Sequence, residues 1–248
     1  MQENEELEIP ELTGAEMVEV DRAMVEDFGI DLTRMMENAG RALALLARAR
    51  FFDCDVTGHR VAVLAGSGGN GGGGLVCARR LSAWGADVEV HVSRPAGEIA
   101  GVPGEQLAML QHMGVPLREP GDVADVPDLD GVDLVIDALI GYSLHGAPRG
   151  AVLGLIDAAN LALAPVLSLD VPSGLDSTSG ETPGVAVIAD ATMTLALPKI
   201  GLSAPTAQSL VGELYLADIG VPPALYARPP LNLAVGPIFA RQEVIQLR

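Results

Sequence analysis

The chain has 248 residues, 49% of them hydrophobic, enough to bury a sizeable core within one large α/β domain. Acidic residues outnumber basic ones by 33 to 15, and the resulting formal charge of -18 argues against a grip on the phosphate backbone of nucleic acid. No apolar run approaches the roughly 18 residues of a membrane span, and Cys54 and Cys77 form neither a metal-binding spacing nor a disulfide framework. Composition therefore predicts a soluble protein of the reducing cytoplasm, with no nucleic-acid or membrane partner.

In chain order, residues 1–12 are acidic, contain Pro10 and lack periodicity, which predicts a flexible tail followed by one domain over 13–248. Thr13 followed by Glu16 fits a capping box, and Met17, Val20, Met24 and Val25 recur on one helical face, predicting a helix to about Phe28. After Gly29 a second apolar stripe, Leu32, Met35, Met36, Ala39, Ala42, Leu45 and Leu46, predicts a helix to about Phe52. From residue 60 the pattern changes to short apolar runs separated by helical segments. Strands are predicted at 60–66, 88–93, 133–140, 165–171, 191–197 and 212–218, with helices after the glycine-rich run and around 105–113 and 151–161. Such alternation predicts a mostly parallel sheet covered by helices on both faces, a three-layer αβα sandwich of Rossmann-like kind. The Pro-rich C-terminal segment has no clear assignment.

Three segments can carry chemistry. The run GSGGNGGGG at 66–74 lies between the first strand and a helix, where glycines let backbone approach a phosphate at a helix N-terminus, although a tight βα connection would look the same. No Lys-Ser or Lys-Thr closes it, so it is not a nucleoside-triphosphatase loop. Its one long polar side chain is Asn70. Asp137 falls near the C-terminal end of a buried strand, the edge where open α/β sheets build their ligand crevice, and a buried carboxylate there needs a cation, a donor or a proton. Asp170 stands at the end of another strand with Ser173 in the turn behind it, so two strand-end carboxylates can converge on one cleft. Lys199 reads either as a phosphate partner or as a solvated loop cation, His145 as an isolated loop histidine, Asp176 as a turn residue, and Met35 and Met36 as core. Glu37 and Asn38 fit either the cleft side of a helix or a solvated face.

Taken together, MMENAGRA, VAVLAGSGGNGGGGLVCARRL, DLVIDALIGYSLHGAPRG, LSLDVPSG and LALPKIGL resemble, in the same order, segments of the NAD(P)H-hydrate epimerase family, the YjeF N-terminal-like domain. The resemblance runs from about Glu16 to Asp218. It implies a homodimer that interconverts the R and S forms of hydrated NADH or NADPH, with a separate dehydratase as functional partner. The family's potassium ligands fall on Asn70, Asp137 and Ser173. Its substrate contacts fall on Gly69, Asn70, Gly71, Gly72 and Gly73, on Gly141, Tyr142, Ser143, Leu144, His145, Gly146 and Ala147, and on Asp170. The implied chemistry assigns Asp137 as the general acid and base that releases and re-adds the hydroxyl. One departure stands out. The family loop usually reads Asn-Asn-Gly-Gly-Asp-Gly, and here Gly69 and Gly73 replace the first asparagine and the aspartate. That change leaves a catalytically silent nucleotide-binding or protein-interaction module as the alternative.

Overall fold

Thr13 opens the first helix as the sequence predicts: its side chain accepts from the Glu16 N–H at 3.2 Å while Glu16 accepts the Thr13 N–H at 2.8 Å. A computed structural model describes residues 9–121 and 126–248. Its helices are α1 (Gly14–Glu26), α2 (Leu32–Phe51), α3 (Gly69–Ala83), α4 (Gly101–His112), α5 (Ala151–Leu161) and two single turns, α6 (Gln208–Val211) and α7 (Pro223–Tyr226). Its strands are β1 (Arg60–Ala65), β2 (Asp87–Val92), β3 (Leu117–Arg118), β4 (Leu134–Ala138), β5 (Val166–Leu169), β6 (Ala191–Leu195), β7 (Glu213–Ala217) and β8 (Val244–Gln246). Among the described residues no helix is long and apolar enough to cross a membrane.

The eight strands form one sheet in the order β3-β2-β1-β4-β5-β6-β7-β8, parallel except for β8. Val61, Val63 and Ala65 of β1 pack with α2, α3 and α4 on one face, and Ala62 and Leu64 pack with α5 on the other. That alternation makes three layers, the predicted αβα sandwich. Two strands escape sequence reading. β3 has two residues, and β8 lies in the Pro-rich segment and pairs Ile245 with Leu216.

Two boundaries differ from expectation. Residues 1–8 of the predicted tail lie outside the described residues, but the fold begins before residue 13: Leu12 is fully buried, and its N–H and carbonyl bond to Pro198 and Ile200 at 2.8 and 3.0 Å. An apolar side chain with backbone partners of its own is part of the core.

The glycine-rich run is also more helical than a loop that merely precedes a helix, because α3 starts at Gly69. Packing explains why glycine is tolerated there. A Cβ on Gly71 would lie 1.8 Å from the carbonyl oxygen of Gly66, and one on Gly72 would lie 2.5 Å from Met36 Sδ. Replacing a helical glycine with alanine ordinarily stabilises by about 1 kcal/mol. For Gly71→Ala we expect the opposite sign, a loss of about 1–3 kcal/mol in urea denaturation, because the clash is with backbone.

Candidate active site

The strand order reverses between β1 and β4, and the loops leaving these two strands part there, which is where doubly wound sheets bind ligands. A cleft of about 480 Å³ opens at this point between the N-terminus of α3, helices α1 and α2, and the loops after β4, β5 and β6. Its apolar wall includes Met17, Met35, Met36 and Ile219, and its polar groups include Asp21, Asn70, Tyr142, Asp170 and Lys199. A second cavity of about 530 Å³ shares Ser67, Gly68, Gly69, Asn70, Gly141 and Ser143 with the first and continues along residues 139–149. The two are halves of one crevice over the sheet edge.

Asp170 follows β5 with a φ of +68°, uncommon for a side-chain-bearing residue and tolerated best by Asn and Asp. Its carboxylate is almost fully buried and well partnered. Lys199 Nζ, with no exposure at all, donates to Oδ1 at 2.5 Å, and the Tyr142 N–H donates to Oδ2 at 3.0 Å. Lys199 also donates to the Leu195 carbonyl at 2.8 Å. The solvated alternative for Lys199 is thus wrong: it is a buried cation locked onto the strand-end carboxylate. Gly141 lets the loop after β4 close over this group, since a Cβ there would sit 2.9 Å from Asp170 Oδ2 and 3.1 Å from Asn70 Oδ1. Asn70 Nδ2 is buried without a hydrogen-bond partner, a donor left for a ligand of the cleft.

Asp21 completes the group and had no signal in the sequence beyond its place on an amphipathic helix. Tyr142 joins the two carboxylates: its phenol donates to Asp21 at 2.6 Å while its N–H reaches Asp170. Burial pushes the Asp21 carboxyl above the usual carboxylate range, against the opposing pull of the Tyr142 hydrogen bond. Burial likewise pushes the Tyr142 phenol up, reinforced by the neighbouring Asp21.

Asp137 lies behind this wall. It is fully buried on the face of β4 that looks toward α5 and lines neither cavity. Its oxygens accept from Ser168 Oγ at 2.8 Å, Ser173 Oγ at 2.6 Å, the Ser173 N–H at 2.9 Å and the Leu139 N–H at 3.2 Å. Burial raises its pKa and these neutral donors hold it down, with no basic side chain contributing among the described residues. Ser173 Oγ also accepts the Ile140 N–H at 2.8 Å, so Asp137 and Ser173 anchor the loop that carries Gly141 and Tyr142.

The remaining predicted residues divide. Gly69 and Asn70 line both cavities, Gly73 and Tyr142 the first, and Leu144, His145, Gly146 and Ala147 the second, whereas Gly71 and Gly72 pack inward and line neither. Met35 and Met36 are core residues that also wall the cleft. Glu37 pairs with Arg79 and Arg80, and Asn38 donates to the Ile219 carbonyl at 3.1 Å. Asp176 caps its own turn through the Thr178 and Ser179 N–H groups. A Cβ at Gly69 would meet only Met36 Cε at 3.9 Å, and one at Gly73 would press on Leu169 Cδ2 at 2.8 Å, the end of a flexible side chain. Both departures from the usual loop are therefore absences of polar groups in the cleft rather than changes of its frame.

A doubly wound sheet whose edge crevice gathers convergent polar groups, among them a buried Lys–Asp pair, defines the class of small-molecule-binding α/β domains. The chain belongs to the family described as YjeF-related protein N-terminus, which matches residues 32–201. It is 44% identical over 232 residues to the NAD(P)H-hydrate epimerase of Dehalogenimonas lykanthroporepellens, covering 94% of this chain and 91% of that one. It is 35% identical to the bifunctional NAD(P)H-hydrate repair enzyme of Moorella thermoacetica, covering 89% of this chain and 42% of that longer one. In fold it is similar to the crystal structure of the yeast protein ynu0, with a TM-score of 0.77 at 22% identity over 96% of this chain and all of that one.

Proposed function

We propose that this chain is an NAD(P)H-hydrate epimerase, interconverting the R and S forms of hydrated NADH and NADPH. The observation that carries this reading is the pair of carboxylates in one cleft, Asp21 raised by burial and Asp170 paired with Lys199, spanned by Tyr142. Asp21 and Asp170 line the same cleft and are bridged by Tyr142, so one can give a proton to the substrate and the other take one.

The hydrated carbon of the substrate bears a hydroxyl and is bonded to the ring nitrogen. Asp21, whose carboxyl burial pushes toward the protonated form, gives its proton to that hydroxyl; the C–O bond breaks, water leaves, and the nitrogen lone pair forms a C=N bond. Water then adds to the opposite face, its oxygen bonds to carbon, the C=N pair returns to nitrogen, and Asp170 takes the surplus proton. Reversal exchanges the two roles, and no redox step occurs. Proton transfer thus passes to the groups that line the cleft, and Asp137 holds the loop behind them.

The potassium ligands implied by the family resemblance would be Asn70, Asp137 and Ser173; Asp137 and Ser173 bond to each other behind the cleft wall, and a buried carboxylate raised by desolvation, with only neutral donors around it, would gain from a cation. A potassium ion held there would supply positive charge that orders the loops and screens substrate phosphate. The same reading includes a homodimer and a separate dehydratase that consumes the S form. We assign the chain to the reducing cytoplasm, in keeping with the unpaired Cys54 and Cys77.

The test is direct. Purified protein incubated with the R form of either hydrate, with and without potassium, is expected to accelerate epimerisation well beyond the spontaneous rate, followed by chromatographic separation of the epimers. No acceleration on either hydrate would leave a silent nucleotide-binding module.

A further inference from the structure

The second half of the crevice carries charge that the proton transfers do not use. The cavity of about 530 Å³ is lined by Arg94, Arg149 and His145 and by no carboxylate, in a chain where acidic residues outnumber basic ones by 33 to 15. Several arginines elsewhere, such as Arg22, Arg50, Arg79 and Arg80, pair with carboxylates, while Arg48, Arg60, Arg228 and Arg248 go to aromatic rings or carbonyls rather than to a cavity. Arg94 and Arg149 are exposed and have no carboxylate partner among the described residues. Two unpaired guanidinium groups facing one acid-free cavity form an anion site, and the planar fork of arginine matches a phosphate.

The position of Arg94 says which phosphate. In doubly wound sheets that bind dinucleotides, an acid at the end of the second strand holds the 2′-hydroxyl of the adenosine ribose, and an arginine nearby accommodates a 2′-phosphate instead. Here β2 ends at Val92 and runs on through Ser93 and Arg94, with no acid at the turn. The reacting ring, by contrast, belongs beyond β4, where Asp170 and Lys199 stand after β5 and β6. A dinucleotide crossing the switch point in that direction brings its adenosine ribose to β2.

We propose that Arg94, with Arg149 lining the same cavity, binds the 2′-phosphate of the adenosine ribose, so that the NADPH-derived hydrate is the preferred substrate. This rests on the dinucleotide reading of the cleft. Calorimetry on the full chain compares adenosine 2′,5′-bisphosphate with adenosine 5′-monophosphate, and we expect the bisphosphate to bind roughly 10- to 100-fold more tightly, the worth of one or two charge-assisted hydrogen bonds. The ratio of kcat/KM between the two hydrates should favour the phosphorylated one by a similar factor. In Arg94→Gln both ratios should fall toward one, with the melting temperature held because the side chain is exposed. Equal binding of the two nucleotides by the unaltered protein, or an Arg94→Gln variant that weakens both ligands in the same proportion, overturns the proposal. A 2′-phosphate preference in binding without epimerisation of either hydrate would instead sink the proposed reaction and leave this site standing.

Discussion

Replacing Lys199 by methionine is expected to cost about 3–5 kcal/mol of folding stability, because it leaves the Asp170 carboxylate buried beside Thr194 without its cation and the Leu195 carbonyl without its donor. The methionine fills much of the lysine's volume, so the loss reports charge rather than packing. Converting the partner as well, in the double variant Lys199→Met, Asp170→Asn, should recover most of that loss, since a buried pair replaced by neutral groups is often close to neutral. Asparagine is the appropriate replacement because it tolerates the positive φ at position 170. Urea denaturation of the single and double variants measures the coupling. A single variant as stable as the parent would show that the carboxylate finds solvent once the lysine is gone. Activity should not return with stability in the double variant, because the base of the proposed reaction is missing.

The second large effect falls on turnover. Asp21→Asn and Asp170→Asn are each expected to lower kcat by about 10²- to 10⁴-fold, the usual range for loss of a general acid or base. Their pH signatures differ. With Asp21 required in its protonated form, R-to-S turnover should fall as pH rises through its raised pKa, and the Asp21→Asn variant should lack that limb. The stability contribution of Asp21 falls over the same pH range. A carboxyl raised above its ordinary value of 3.8 contributes stability that is present below that value and lost as pH rises through the raised one. At neutral pH Asp21 therefore weighs against the fold, and Asp21→Asn should melt no lower than the parent while turning over far more slowly. A variant that lost both together would point to a structural role for the Asp21–Tyr142 hydrogen bond and against Asp21 as the acid.

The alternation of apolar runs with helical segments was enough to read the layered fold, because a buried parallel strand and an amphipathic helix bury their side chains at different periods. Thr13 with Glu16 announced the first helix for a local reason, the reciprocal cap. The C-terminal strand and the two-residue β3 were not legible, since strands that short depend on a neighbour rather than on their own pattern. The glycine run read as a loop because glycine is a poor helix former; in the structure it is helical from Gly69, with Met36, Ala138 and the Gly66 carbonyl so close that a Cβ would clash.

The amino-acid sequence by itself determined the mostly parallel, helix-covered sheet and the strand-end positions of Asp137 and Asp170, since each follows from local periodicity; the strand order that opens the crevice came from the structure. Only the tertiary structure decided what those carboxylates face. Lys199 is 29 residues from Asp170 and 0% exposed against it, and Asp21 meets Tyr142 across 121 residues. Long-range pairings of that kind are set by how helices and loops pack over the sheet edge. They separate Asp137, sealed behind the wall by two serines, from Asp170, which lies in it.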